Sequence, residues 1–247
     1  MALSSLASRV VAAYGSEQTW RSAQSVDVEA SASGLLFTLK VGHGFERGRV
    51  HVEVASPRAR FTPREWDGRS AVLDGHDVRI EDADGQVLAS RPDARKPFPW
   101  GHRLIRWDEL DLGYFAGYAF WNYLAFPALL LRDDIAWNEL GPGLLEARFP
   151  PALPTHSAVQ RFHIDPATGL LRRHDYTADV VGSFARAAHR ILAHDTADGI
   201  PFPSHRRVRP RIAGRALGPT LVDLRIHTWT LHATTRGARR STTVPDR

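Results

Sequence analysis

Twenty consecutive residues without a charge, Leu112 to Leu131, interrupt a chain whose remaining pattern is one of short strands, and that interruption narrows the folds open to it. A stretch of that length could cross a bilayer. Its chemistry argues otherwise, because Asn122, Pro127 and four tyrosine or tryptophan rings stand where a spanning helix would carry aliphatics. The segment reads as a helix from Glu109 to about Phe126. Asp108 is its cap, Glu109 and Asp111 complement the helix dipole in its first turn, and Pro127 ends or kinks it. A helix apolar on several sides must be buried against a sheet, and Gly113 and Gly117 allow close backbone approach.

From Ser25 to Arg91 the period is two. Val26, Val28 and Ala30 alternate with polar residues, as do Val50, Val52 and Val54; Leu35, Phe37 and Leu39 follow the same rule, and shorter runs recur to Ala89. Asp67-Gly68, Asp74-Gly75 and Asp84-Gly85 separate these runs at hairpin spacing. Alternation resumes at 144–149, 158–164, 170–178, 207–212 and 221–231, and 184–194 reads as strand although its alanines favour helix. The expected architecture is mainly β with α: one strongly curved antiparallel sheet of about nine to eleven strands, a buried central helix and an N-terminal helix. Residues 1–233 are expected to form one ligand-binding domain and 234–247 a disordered basic tail.

Leu3, Leu6, Val10, Ala13 and Tyr14 form one apolar helical stripe that stops at Gly15, with Arg9 breaking any continuous apolar run. This predicts a docking helix rather than a signal peptide, and hence a cytoplasmic protein. The 247 residues, 43% apolar and 24% charged with mean hydropathy −0.29, fit a globular protein and exclude disordered and collagen-like classes. No cysteine is present, which removes disulfides, thiolate nucleophiles and Cys-ligated metals. The net charge of +5 is a C-terminal property: ten arginines and two aspartates after residue 203 give that segment +8, leaving −3 on the rest. With no helix-turn-helix or RNA-binding signature, no nucleic-acid partner is expected.

Candidate chemistry is sparse. Asp165-Pro166-Ala167-Thr168-Gly169 is a hairpin turn with two admissible registers, Gln160 opposite Asp175 or opposite His174. Both put His174 and Tyr176 on one face with Arg172, where a histidine beside a tyrosine is suited to proton transfer or simply to a satisfied sheet position. On the central helix Tyr114, Tyr118 and Trp121 form an aromatic stripe with Asn122 beside it, which suits a small-molecule pocket or plain core. The twelve histidines include no HExxH, and Thr155-His156-Ser157 lacks the Gly-x-Ser-x-Gly elbow of hydrolases. No glycine-rich nucleotide loop occurs, so neither metal nor cofactor is expected.

Two stretches carry a resemblance. Trp107, Asp108, Leu110, Leu112, Tyr114, Phe115, Gly117, Tyr118, Ala119 and Trp121 match one motif of an uncharacterised bacterial family; Thr155-His156-Ser157, Gln160, Gly169 to Leu171, Arg173 to Tyr176 and Asp179 match a second. The chain departs from that family at Asp133 to Gly143, where relatives carry a longer acidic insert, and at Ser204-His205. The family resembles the lipoprotein-carrier (LolA/LolB-like) half-barrel, an open sheet wrapped over a helical plug, used also by a violacein-pathway enzyme. The resemblance implies a cavity holding an apolar ligand. Since an envelope carrier should be exported, the reading set first is a cofactor-independent cyclase or isomerase of secondary metabolism. In it His174 and Tyr176 are catalytic, and Tyr114, Tyr118, Trp121, Asn122 and Gln160 bind the ligand. The alternative is a non-catalytic carrier of a lipid or other apolar molecule; ligand identity and oligomeric state stay open.

Overall fold

The first half of the chain folds as a meander because each strand is joined to the next by a short turn. In the computed structural model, which describes residues 3–234, helices α1 (Ser5–Ala13) and α2 (Glu17–Ser22) lead into β1 (Ala23–Ser33). Helix α3 (Leu35–Val41) is followed by β2 (Phe45–Glu53), β3 (Arg58–Pro63), β4 (Ser70–Asp74), β5 (Asp77–Glu81) and β6 (Val87–Arg91). The central helix α4 (Glu109–Leu124) and the single turn α5 (Phe126–Leu129) precede the second meander. Its strands are β7 (Ala136–Gly141), β8 (Leu144–Arg148), β9 (Val159–Ile164), β10 (Leu171–Thr177), β11 (Arg186–Ala197), β12 (Ile200–Ile212), the two-residue β13 (Arg215–Ala216) and β14 (Val222–Ala233). The expected tail falls outside the described residues from 235 onward.

All fourteen strands belong to one antiparallel sheet, ordered β6-β5-β4-β3-β2-β1-β14-β12-β11-β10-β9-β8-β7, with β13 paired to β12 alone. The sheet does not close, so β6 and β7 are its two edges. The meanders join in its middle, where β1 pairs with β14 over the whole of their lengths, as in Val28 with Trp229. Helix α1 turns Leu6, Ala7, Val10 and Val11 into the core, in agreement with the predicted stripe.

Helix α4 begins where expected: Asp108 caps it, and Asp111 completes a capping box while also holding Arg91 and Arg103. It packs on β3, β4 and β5, and the glycines decide how closely. A Cβ added at Gly113 would lie 2.5 Å from Ala71 Cβ, and one at Gly117 would lie 2.8 Å from Leu73 Cβ. Glycine to alanine in a helix gains about 0.5–1 kcal/mol, whereas overpacking a core costs about 1–3 kcal/mol, so packing prevails. Gly113→Ala should therefore lower stability by about 1 kcal/mol and Gly113→Val by about 3 kcal/mol. Urea midpoints measure both, and an unchanged midpoint for Gly113→Val would mean that α4 is free to slide.

Three expectations are corrected. Leu35, Phe37 and Leu39 form no strand: Gly34, at φ 124° and pressed against the Leu221 carbonyl, starts α3, which buries Phe37 and Lys40. The sheet has fourteen strands rather than nine to eleven: 136–141 and 215–216 also pair, while the proline-containing 200–206 lengthens the strand expected at 207–212. Neither hairpin register occurs. His174 pairs with Phe162 and Asp175 with Arg161, while a bulge at Arg172 shifts the alternation. The extra residue turns Arg172 to solvent and Leu171, His174 and Tyr176 inward, so Arg172 does not share their face.

Candidate functional site

Helix α4 divides the concave side of the sheet. One flank rests on the first meander; the other, carrying Phe115, Ala116, Ala119, Phe120 and Tyr123, leaves a cavity of about 600 Å³ against the second. Strands supply Tyr176, Ala187, Val208 and Leu224 to its wall, and α3 adds Phe37 and Lys40. This volume is that of a small-molecule pocket. The cavity opens between Leu39, Leu104, Ile105 and Phe184, all exposed, with Ile105 at 76% and Phe184 at 78%.

Its floor is polar and only partly satisfied, since His156 Nδ1 and both ring nitrogens of the neighbouring His189 have no hydrogen-bond partner among the described residues. Tyr123 Oη lies 2.8 Å from His156 Nε2 and 3.2 Å from Tyr176 Oη, and the His156 and Tyr176 rings stack at 3.8 Å. Burial, then the Arg95 charge, holds the His156 pKa down to about 3; burial raises Tyr123 to about 12, and Tyr176 lies well above its ordinary value from burial and the neighbouring Tyr123. Such partners share a hydrogen bond at neutral pH without exchanging a proton, since general acid–base work needs a pKa near the working pH.

Of the candidate residues, Tyr176 alone is in the cavity wall. His174 lies behind it, its Nε2 2.6 Å from Gln160 Oε1, its ring stacked on Phe162 at 4.2 Å, and its pKa kept well below the usual histidine value by burial. Gln160 Nε2 in turn donates to the Ser157 carbonyl, so Gln160 orients His174 and does not reach the cavity. Tyr114, Tyr118, Trp121 and Asn122 are buried on the neighbouring flank of α4 and do not line the cavity. Tyr114 Oη is held by His76 Nδ1 at 3.0 Å.

Sequence reasoning passed over Tyr123, His156, His189 and Arg206. His189 is 1% exposed and sits edge-on to Tyr123 at 4.7 Å. Arg206 is buried without a carboxylate partner among the described residues; it lies over the Tyr123 ring and donates to the Tyr123 carbonyl at 3.2 Å. A reason for that bond was visible in the sequence. Four residues after Tyr123 comes Pro127, which has no N–H to return to that carbonyl, and Arg206 supplies the missing donor.

Among the described residues, only His102, Asp108 and Asp111 approach a metal-binding cluster, and Arg91 and Arg103 already neutralise its carboxylates. No described helix is long and apolar enough to cross a membrane.

The architecture and its cavity define a LolA-like half-barrel. A LolA superfamily protein from Nitrosomonas europaea superposes with a TM-score of 0.53 at 10% identity, over 95% of this chain and 96% of that one. A DUF1329 family protein from Desulfovibrio piger gives 0.52 at 13% identity, over 92% and 91%. A Vibrio parahaemolyticus domain assigned to outer membrane lipoprotein sorting gives 0.50 at 11% identity, over 95% and 93%. No family model and no curated protein matches the sequence. At such identities the likeness is one of fold.

Proposed function

We propose that this half-barrel is a non-catalytic carrier of an apolar small molecule held between α4 and the second meander. The observation that carries the reading is the cavity of about 600 Å³, apolar along its wall and opening at an apolar rim. The lipoprotein-sorting description of one structural neighbour supports it. The compartment in this proposal is the cytoplasm, and cell fractionation tests it.

A cofactor-independent cyclase or isomerase is the second reading, favoured by one observation: Tyr176 and His156 reach the wall of a largely apolar chamber. Their displaced pKa values make them better at holding a carbonyl in place than at moving a proton. The discriminating experiment is titration with an environment-sensitive apolar dye, beside turnover assays on candidate intermediates. A carrier should bind the dye one to one. Tyr176→Phe and His174→Gln should then change its affinity by less than about threefold, with His174→Gln lowering stability by about 1 kcal/mol through the altered hydrogen bond to Gln160. No dye binding by folded protein would reject both readings, and a turnover lost in Tyr176→Phe would establish the enzyme.

A further inference from the structure

The charges in the cavity wall are of one sign. The lining includes Lys40 and Arg186 and no aspartate or glutamate. Lys40, one of two lysines in the chain, is 6% exposed. Its Nζ donates to the carbonyls of Arg103 at 2.9 Å and Leu104 at 2.6 Å, and lies 5.5 Å from the centre of the Trp107 ring. An ammonium has three donors, and two are used. Among the described residues no carboxylate forms an ion pair with it or with Arg186. Buried charges without a counter-ion are rare, because desolvation is uncompensated; here burial lowers the Lys40 pKa.

What would enter the cavity is constrained by that charge. A neutral apolar ligand would cover Lys40 further and leave it unpaired. An amphiphile with an anionic end would pair with it, in a setting where water no longer screens the interaction. Both cations sit by the mouth: Lys40 is bonded to the segment bearing Leu104 and Ile105, and Arg186 lies two residues beyond Phe184. At about 30 Å³ for each water-sized group, the cavity has room for roughly twenty such groups, the size of a long-chain fatty acid.

We propose that the ligand is an apolar monoanion, a long-chain carboxylate whose tail fills the chamber and whose head pairs with Lys40 at the mouth, with Arg186 adding positive potential. This rests on the carrier reading of the same cavity and assigns its ligand class.

Displacement of the bound dye from the full chain at neutral pH tests it, with hexadecanoate, hexadecanol and hexadecylamine as competitors, each below its aggregation limit. The acid should bind about tenfold tighter than the alcohol, and the amine most weakly. Lys40→Gln, which keeps an amide donor for the segment carbonyls, should bring the acid to within about threefold of the alcohol; Lys40→Arg should retain the preference. Equal binding of acid and alcohol by the unaltered protein, a comparison that needs no variant to fold, overturns the anionic head group while the apolar carrier stands. A preference that persists in Lys40→Gln overturns the role of Lys40. Failure of the dye and all three competitors to bind overturns both the ligand class and the carrier.

Discussion

Lowering the pH from 7 to 5.5 should remove at least about 4 kcal/mol of folding stability, chiefly through three histidines that the fold keeps neutral, with His194, held down to about 4 by burial, adding to the loss. His156, His174 and His189 are fully buried, and burial is the first cause of each lowered pKa. Arg95 adds to it at His156; Arg206 and the neighbouring imidazoles add to it at the other two. In the unfolded chain each titrates near 6.5. The folded value lies below the unfolded one, so the unfolded state binds more protons under pH 6.5. The stabilising contribution is therefore complete above that pH and is lost as the pH falls toward the folded values. One pH unit below 6.5, each histidine contributes about 1.4 kcal/mol to the loss, against a typical total stability of about 5–15 kcal/mol. Urea titrations at pH 7.5, 6.5 and 5.5 measure it, with about three protons or somewhat more taken up on unfolding at the lowest pH by these three histidines and His194 together. A flat profile would show that the imidazoles acquire charge inside the fold, and would contradict the burial of His156, His174 and His189 as the cause of their lowered pKa values.

Ala119→Trp should abolish dye binding without unfolding the protein. Ala119 is on the cavity flank of α4, one turn from Phe115 and from Tyr123, so an indole placed there grows into open volume and not into the sheet. The contrast with Gly113, where even one added carbon meets Ala71, is the reason opposite outcomes are expected on two flanks of one helix. Dye affinity should fall by about a hundredfold or more while thermal stability holds or rises as the indole takes over the ligand's apolar contacts. Unchanged affinity in the folded variant would place the dye elsewhere and remove the cavity from the proposed function.

Much of the architecture was legible because strong local signals agreed with it. Asp108, the acidic first turn and Pro127 bracket α4, and alternating valines mark β1 and β2. Where signals conflicted, the sequence misled. Residues 35–41 alternate at Leu35, Phe37 and Leu39, yet 36, 37 and 40 also suit a helix, and seven residues are too few to separate the periods. Pro201 and Pro203 concealed the first part of β12, although its partner strand tolerates them. The site was harder to read for a geometric reason. The conspicuous stripe of Tyr114, Tyr118 and Trp121 is core, whereas the cavity lies one position around the helix, where Ala116 and Ala119 are too small to fill it. Volume left open by small side chains has no motif. The pairing of Tyr123 with His156 spans 33 residues, and the register of β10 beside it is shifted by a bulge at Arg172 that no local pattern announces.

The join between β1 and β14 bears on how the chain reaches this state. Contacts within each meander are local, but Val28 meets Trp229 only after some two hundred intervening residues have been synthesised, and β14 also provides β12 with its neighbour. Loop closure over such a separation is slow, so the rate-limiting event in folding is expected at the centre of the sheet, not at its rims. Until Val222 to Ala233 emerges from the ribosome, β1 and β12 both present unpaired backbone beside apolar faces. A nascent chain stalled before residue 222 would hold two half-sheets with adhesive inner edges, a species prone to aggregation and a natural client for chaperones.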